Sequence, residues 1–199
     1  MTNISISEEI ATACPDLHVL VLSCDVCNSE PDERLWQEIA DEEKAVRETV
    51  KLEQINKWLP IQATRQAYKR LGKDPNRYRP SSEALRRRIL RELPLYKVDT
   101  LVDLINLVSI RSGYSIGGFD ADKIAGGSLV LGVGREGEIY HGIGRGELNI
   151  AGLPVYRDAV GGVGTPTSDE ERTKIGLDTT HLLMILISAT LLYKNNLKQ

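Results

Sequence analysis

Apolar positions along this chain change their period several times. From Leu17 to Ser23 they run almost unbroken, as LHVLVLS, and predict a short strand. From Leu35 to Val50 they recur at Leu35, Trp36, Ile39, Val46 and Val50 with acids between them, close to the 3.6-residue period of a helix. Ser29 to Asp32 has the S-x-x-D form of a capping box, with Pro31 inside the first turn. Pro60 interrupts the pattern, and a further helix is expected from Gln62 to Arg70, stopped at Gly72. GKDPNRYRPSS, with two prolines and several turn formers, is a loop. Ser81 or Ser82 then caps a helix with Leu85, Ile89 and Leu93 on one side and Arg87, Arg88 and Arg91 on the other, ended by Pro94. Asp99 or Thr100 caps the next, LVDLINLVSI, which is apolar nearly all round and predicts a central, buried helix ending at Gly113.

After Gly117 the texture changes. Twelve of the 17 glycines lie between Gly126 and Gly164, interleaved with short pieces such as SLVLGV, EIYHGI and PVYRDA, which read as an antiparallel sandwich or barrel. HLLMILIS is one more buried strand, with helix as the alternative. Helices first and strands later in one compact unit make an α+β domain. A single domain over 1–199 is expected, with a strand and helices in 1–60 and the main core in 61–199.

Composition adds bounds. A length of 199 residues, 41% hydrophobic and 27% charged, suits one folded domain, and with aromatics at 5% its core is mostly aliphatic. The start, MTNISISEEI, has no basic n-region or apolar h-region, and the longest apolar run, Leu182 to Ile187, falls far short of the roughly 20 residues of a spanning helix. A cytoplasmic chain without a membrane partner is expected. Cys14, Cys24 and Cys27 are an odd number and should be reduced thiols. CDVC would need a second ligand pair to hold zinc, and His18, His141 and His181 offer none at ligand spacing, so neither metal nor cofactor is expected.

Charge is unevenly spread. The net −3 hides ten basic residues, Arg65, Lys69, Arg70, Lys73, Arg77, Arg79, Arg86, Arg87, Arg88 and Arg91, opposed only by Asp74 and Glu83. That stretch carries +8 and the remainder −11. Such a run is usually a solvated helix face, but here it spans two helices and their loop with Tyr68 and Tyr78 among them. RNA or another polyanion is the sharper expectation.

GVGREG matches G-x-G-x-x-G, and Asp158 lies downstream, but EIYHGIGRGEL cannot supply the helix that holds a pyrophosphate, so a hairpin turn is the better reading. YSIGGFDADKI is different. Two adjacent residues without Cβ let a backbone approach a ligand and aim its N–H groups at a carbonyl.

YKVDTLVDLINLVSIRSGYSIGGFDADKI resembles the B3/B4 domain of the phenylalanyl-tRNA synthetase β subunit, in which a V-D-x-x-N helix runs through a glycine and a turn into F-D-x-D-K-I. The matching residues are Val102, Asp103, Asn106, Gly113, Phe119, Asp120, Asp122, Lys123 and Ile124. DTTHLLMILIS looks like that domain's closing strand, and YKRLGKDPNRYRPSSEALRRRIL like the leader of free-standing B3/B4 proteins. The resemblance implies a three-layer α+β domain with helices packed on a β-sandwich of unusual topology. It implies binding of RNA, tRNA in particular, and hydrolysis of a mischarged aminoacyl ester in trans. The alternative is a non-catalytic module holding a small amino acid-like ligand in the same pocket. Carried over, Asn106, Ser109, the turn Gly117, Gly118, Phe119 and Asp120, Glu138 and Thr179 line one cleft; the charge of the basic stretch, not the resemblance, puts RNA on Arg65, Lys69, Arg70, Lys73, Arg77, Arg79, Arg87, Arg88 and Arg91. Where the family has a histidine two residues before F-D, this chain has Gly117, and Ile105 replaces the threonine before the helix asparagine. Three acids, Asp169, Glu170 and Glu171, compete for the place of the family's pocket glutamate.

Overall fold

The computed structural model describes residues 2–189, so the last ten positions of the 61–199 core lie outside the described residues. The elements in chain order are β1 (Asn3–Ile6), α1 (Glu8–Ala13), β2 (Leu17–Asp25), α2 (Glu33–Thr49), α3 (Leu59–Arg70), α4 (Ser81–Leu90), α5 (Thr100–Ser112), β3 (Ile116–Asp120), β4 (Ser128–Val133), β5 (His141–Gly142), β6 (Gly146–Glu147), β7 (Pro154–Arg157), β8 (Gly162–Gly164) and β9 (His181–Ala189).

Three layers result. A four-stranded sheet in the order β1-β4-β7-β8 faces a three-stranded antiparallel sheet β2-β9-β3. Ile10, Leu129, Leu131, Tyr156 and Val163 meet Phe119, Leu183 and Ile185 between them. On its other face β9 packs Leu182 against Leu101 and Ile105 of α5, and α5 packs Ile110 against Val46 of α2 and Ile89 of α4. A separate cluster joins Tyr68 of α3 to Tyr140, Ile150, Leu153 and Val155. No helix among the described residues is long and apolar enough to cross a membrane.

Several local expectations change. HLLMILIS is a strand, paired along its length with β2. The first sheet is mixed, because β1 runs parallel to β4, a pairing open to strands more than a hundred residues apart. Asp32 itself caps α2, accepting the Leu35 N–H at 2.8 Å, while Ser29 turns to Thr100. Pro60 lies in the first turn of α3, where its missing N–H costs nothing, so it starts the helix. Asp99 caps α5 and Gly113 ends it at φ +79°, but Leu104 and Val108 are exposed, so that helix buries one broad face only. Gly117 to Asp120 form no turn. They are β3, an edge strand hydrogen-bonded to β9.

Candidate functional site

The paired glycines are explained by what fills the space beside them. A Cβ on Gly117 would lie 2.7 Å from the Phe119 ring and 3.3 Å from Asp169 Oδ1. One on Gly118 would lie 2.7 Å from Ile105 Cδ1 and 3.0 Å from Ile175 Cδ1. Across the gap, one on Gly164 of β8 would meet Phe119 at 2.5 Å and Asp169 Oδ1 at 2.8 Å. Phe119 thus folds back over Gly117, helix α5 closes on Gly118, and the Asp169 carboxyl enters the hollow that Gly117 and Gly164 leave.

Asp169 Oδ2 accepts the Gly118 N–H at 3.2 Å. The residue keeps part of its surface open, yet its carboxyl is crowded by ring and backbone. Burial, offset only by that one hydrogen bond, pushes its pKa up to about 7. Neither Glu170 nor Glu171 shares this setting: Glu170 caps a short turn through the Arg172 N–H, and Glu171 pairs with Lys174 at 2.7 Å on the surface. Of the three acids left open by the sequence, only Asp169 reaches the glycine strand.

The segment Thr165–Asp169 is held firmly. Thr165 Oγ1 accepts the N–H groups of Thr167 and Ser168, each at 3.1 Å. The Tyr140 hydroxyl donates to the Ser168 carbonyl at 2.6 Å, and the Tyr68 and Thr167 hydroxyls lie 2.9 Å apart. Tyr156 packs edge-on to Phe119, with centroids 6.3 Å apart, and its hydroxyl is buried without a partner among the described residues. Burial first, then the Asp169 charge, pushes the Tyr156 pKa far above the phenol range, so it stays a neutral donor.

Beyond Thr165 the seam opens into a cleft of about 170 Å³ lined by Arg77, Tyr78, Arg145, Leu148, Thr165 and Thr167, among others. A second hollow, about 110 Å³, lies between α3 and β9 against Cys14, Arg70 and Ile187. Burial there pushes the Cys14 thiol up more than Arg70 pulls it down, leaving a poor nucleophile.

The other residues assigned to one cleft separate. Asn106 lines a crevice with Trp36, Leu85, Tyr96 and Asp103, on a different face of α5 from the Ile105 that meets Gly118. Ser109 is buried within α5. Thr179 donates to Asp120 Oδ2 at 2.9 Å, and Asp120 also pairs with Lys123 at 3.0 Å. Burial works against the Asp120 charge, but these bonds outweigh it and hold the pKa below the usual range. Both residues brace a corner. Glu138 pairs with Arg157 of β7 and accepts the Arg135 N–H, which likewise holds its pKa down against burial. Asp120, Thr179 and Glu138 share one physical reason: each finds its partner close by in its own layer.

The basic stretch also divides. Glu83 is fully buried and gathers Arg65 at 2.9 Å, Arg87 at 2.8 Å and Arg79 at 4.0 Å. Arg86 is buried against the Trp58 ring, donates to the Ile110 carbonyl, and has its pKa lowered to about 10 by burial. Arg88 donates to the Pro94 carbonyl and lies over Tyr96. Lys73 is buried and donates to the carbonyls of Asn149 and Ala151 at 3.1 and 2.6 Å. Arg65, Lys73, Arg87 and Arg88 therefore hold the fold together, and Lys69, Arg70, Arg77, Arg79 and Arg91 remain exposed. Asp158, the acid of the dinucleotide reading, pairs with Arg172 at 2.8 Å; against burial, Arg172 and three backbone N–H groups pull its pKa down to about 2. The strand–turn course of GVGREG has no helix to offer a pyrophosphate. Among the described residues no three His, Cys, Asp or Glu side chains cluster as a metal site would need.

Tyr140, Tyr156 and Arg145 escaped sequence reasoning. Nothing local distinguishes a tyrosine bound for this seam from one bound for any core.

A family model described as the B3/4 domain matches residues 63–192. Among solved structures, the N-terminal fragment of the phenylalanyl-tRNA synthetase beta-subunit from Pyrococcus horikoshii is similar at 14% identity and a TM-score of 0.45. The similarity covers 94% of this chain and 43% of that one, so the chain spans less than half the fragment's length. No curated protein matches.

Proposed function

We propose that this chain, which belongs to the B3/4 domain family, binds RNA, tRNA in particular, and hydrolyses an aminoacyl ester at its end with Asp169 as general base. One observation carries this reading. Asp169, a residue with part of its surface open, sets its carboxyl in a glycine-walled hollow, raised to about 7 and accepting the Gly118 N–H. A base is most effective when its pKa lies near the working pH, so that much of it is ionised while it still takes up a proton readily.

In the proposed step Asp169 removes a proton from water as the water oxygen bonds to the ester carbonyl carbon. The tetrahedral intermediate then collapses, breaking the bond to the ribose oxygen, which leaves with the proton that Asp169 took up, so the carboxylate is restored. The Gly118 N–H cannot be the oxyanion donor imagined from the sequence, because it already serves Asp169. Exposed Lys69, Arg70, Arg77, Arg79 and Arg91 supply RNA contacts in place of the wider set.

The engaged Gly118 N–H favours a second reading, in which the carboxylate pairs with the ammonium of a small amino acid-like ligand and no hydrolysis follows. Deacylation of charged tRNA separates the two. The hydrolytic reading expects release of amino acid, rising with pH to a plateau above about 7, and a fall of about 10² to 10⁴-fold in Asp169→Asn. Unchanged hydrolysis in that variant would remove Asp169 from the chemistry. Its absence in the wild type, with a free amino acid still bound, would establish the second reading.

A further inference from the structure

Almost every arginine near the seam has an anionic or carbonyl partner; two do not. Arg77, on the loop between α3 and α4, makes no ion pair or side-chain hydrogen bond among the described residues and lies 5.7 Å from the centre of the Tyr78 ring. Arg145, on the β5–β6 hairpin, makes no side-chain ion pair or hydrogen bond among the described residues. Both are exposed, and both line the 170 Å³ cleft. Lys73 adds a third cation beside it, its ammonium 3.7 Å from the Tyr78 ring centre. Its pKa is lowered by burial first and by Arg77 second, with Glu136 alone acting the other way. Among the described residues no carboxylate lines the cleft. Two guanidiniums lining one cleft, with no lining carboxylate among the described residues, leave a local field that an anion relieves.

The remaining walls say which kind of anion. Tyr78, Leu148, Ile150 and Leu153 make one side apolar, and Thr165 and Thr167 supply hydroxyls. The space far exceeds the roughly 30 Å³ share of a single water, so it has room for a phosphate and part of a sugar or base beyond it. The cleft adjoins the Asp169 hollow along the chain: Thr165 lines the cleft, and Asp169 is bridged to Gly164, the residue just before.

We infer that the Arg77–Arg145 cleft is a phosphate site that seats the last nucleotide of the RNA, its 5′-phosphate on the two guanidiniums and its sugar toward Asp169. This rests on the reading of Asp169 as the ester-hydrolysing centre, and it fixes from which side the ester arrives. A planar guanidinium pairs with two phosphate oxygens at once, which a lone lysine cannot do.

The test is calorimetric titration of the whole chain with adenosine 5′-monophosphate, adenosine and inorganic phosphate, in wild type, Arg77→Gln/Arg145→Gln and Asp169→Asn. Both arginines are exposed, and unchanged circular dichroism confirms that the double variant folds. Saturable binding of the monophosphate, at least 10-fold tighter than adenosine and at least 10-fold weakened in the double variant, supports the site. Equal affinity for adenosine, or no effect of the double variant, overturns it. A single-stranded RNA end should displace the monophosphate; failure to do so would assign the cleft to a free nucleotide and overturn the RNA-end assignment. Asp169→Asn should bind the monophosphate as wild type does. Loss of hydrolysis with intact monophosphate binding, or the converse, therefore tells which of the two readings has failed.

Discussion

Replacing Asp169 by asparagine should make the protein less active and more stable, by an amount that grows with pH. Asparagine keeps an acceptor for the Gly118 N–H and removes the charge that burial disfavours. In the fold the carboxyl rises from 3.8 to about 7, so over that range the folded chain holds a proton the unfolded chain has lost. The stability tied to that proton is complete below about pH 4 and is lost as pH rises through 7. A shift of about three units, at about 1.4 kcal/mol each, sets the cost of the ionised carboxyl near 4 kcal/mol at most. The partial exposure of Asp169 reduces this to about 2 to 3 kcal/mol, of which about 1.5 develops between pH 5 and pH 8. Urea unfolding of wild type and Asp169→Asn at both pH values measures it. Comparing the two proteins cancels other titrations, including His181, whose pKa Asp122 raises and whose stabilisation also fades as pH rises. The variant should be slightly more stable at pH 5 and clearly more stable at pH 8. A gain independent of pH, or a loss at pH 8, would refute the placement of a strained carboxyl in this hollow.

Glu83→Gln should destabilise by about 3 to 5 kcal/mol in urea melts, because it leaves Arg65 and Arg87 without their buried counter-charge; a small effect would mean the cluster contributes little. Gly118→Val should lower the melting temperature by overpacking against Ile105 and Ile175, at a cost of about 1 to 3 kcal/mol, whereas a filled ligand cleft would lower hydrolysis alone. Glutamates at Lys69, Arg77 and Arg91 should weaken tRNA retention and flatten its log–log salt slope by about 0.7 per lost contact, with the circular dichroism unchanged; unaltered retention would place RNA elsewhere. The same change at Arg87 or Arg88 should perturb folding, since both already have intramolecular partners. Chelator should leave thermal unfolding unchanged, and a lowered midpoint would show a structural metal.

What the sequence determined by itself is local. The β-branched and leucine runs of β2 and β9, a cap at Asp99 or Thr100 and the Gly113 end of α5, and the change to short glycine-punctuated strands after Gly117 follow from propensity and period, which a stretch of ten residues carries within itself. The V-D-x-x-N and F-D-x-D-K-I segments also sufficed to place the chain among B3/4 domains. Tertiary structure decided the rest. Asp169 became the distinctive acid because Gly118, 51 residues earlier, turns its N–H to it, and because Gly117 and Gly164 clear space for its carboxyl. Arg65 became a core residue because Glu83, 18 positions on, is buried beside it. Arg77 and Arg145, on unrelated loops, came to share one cleft. Desolvation and charge pairing depend on atoms brought together from distant parts of the chain, so the period of a segment carries no record of them.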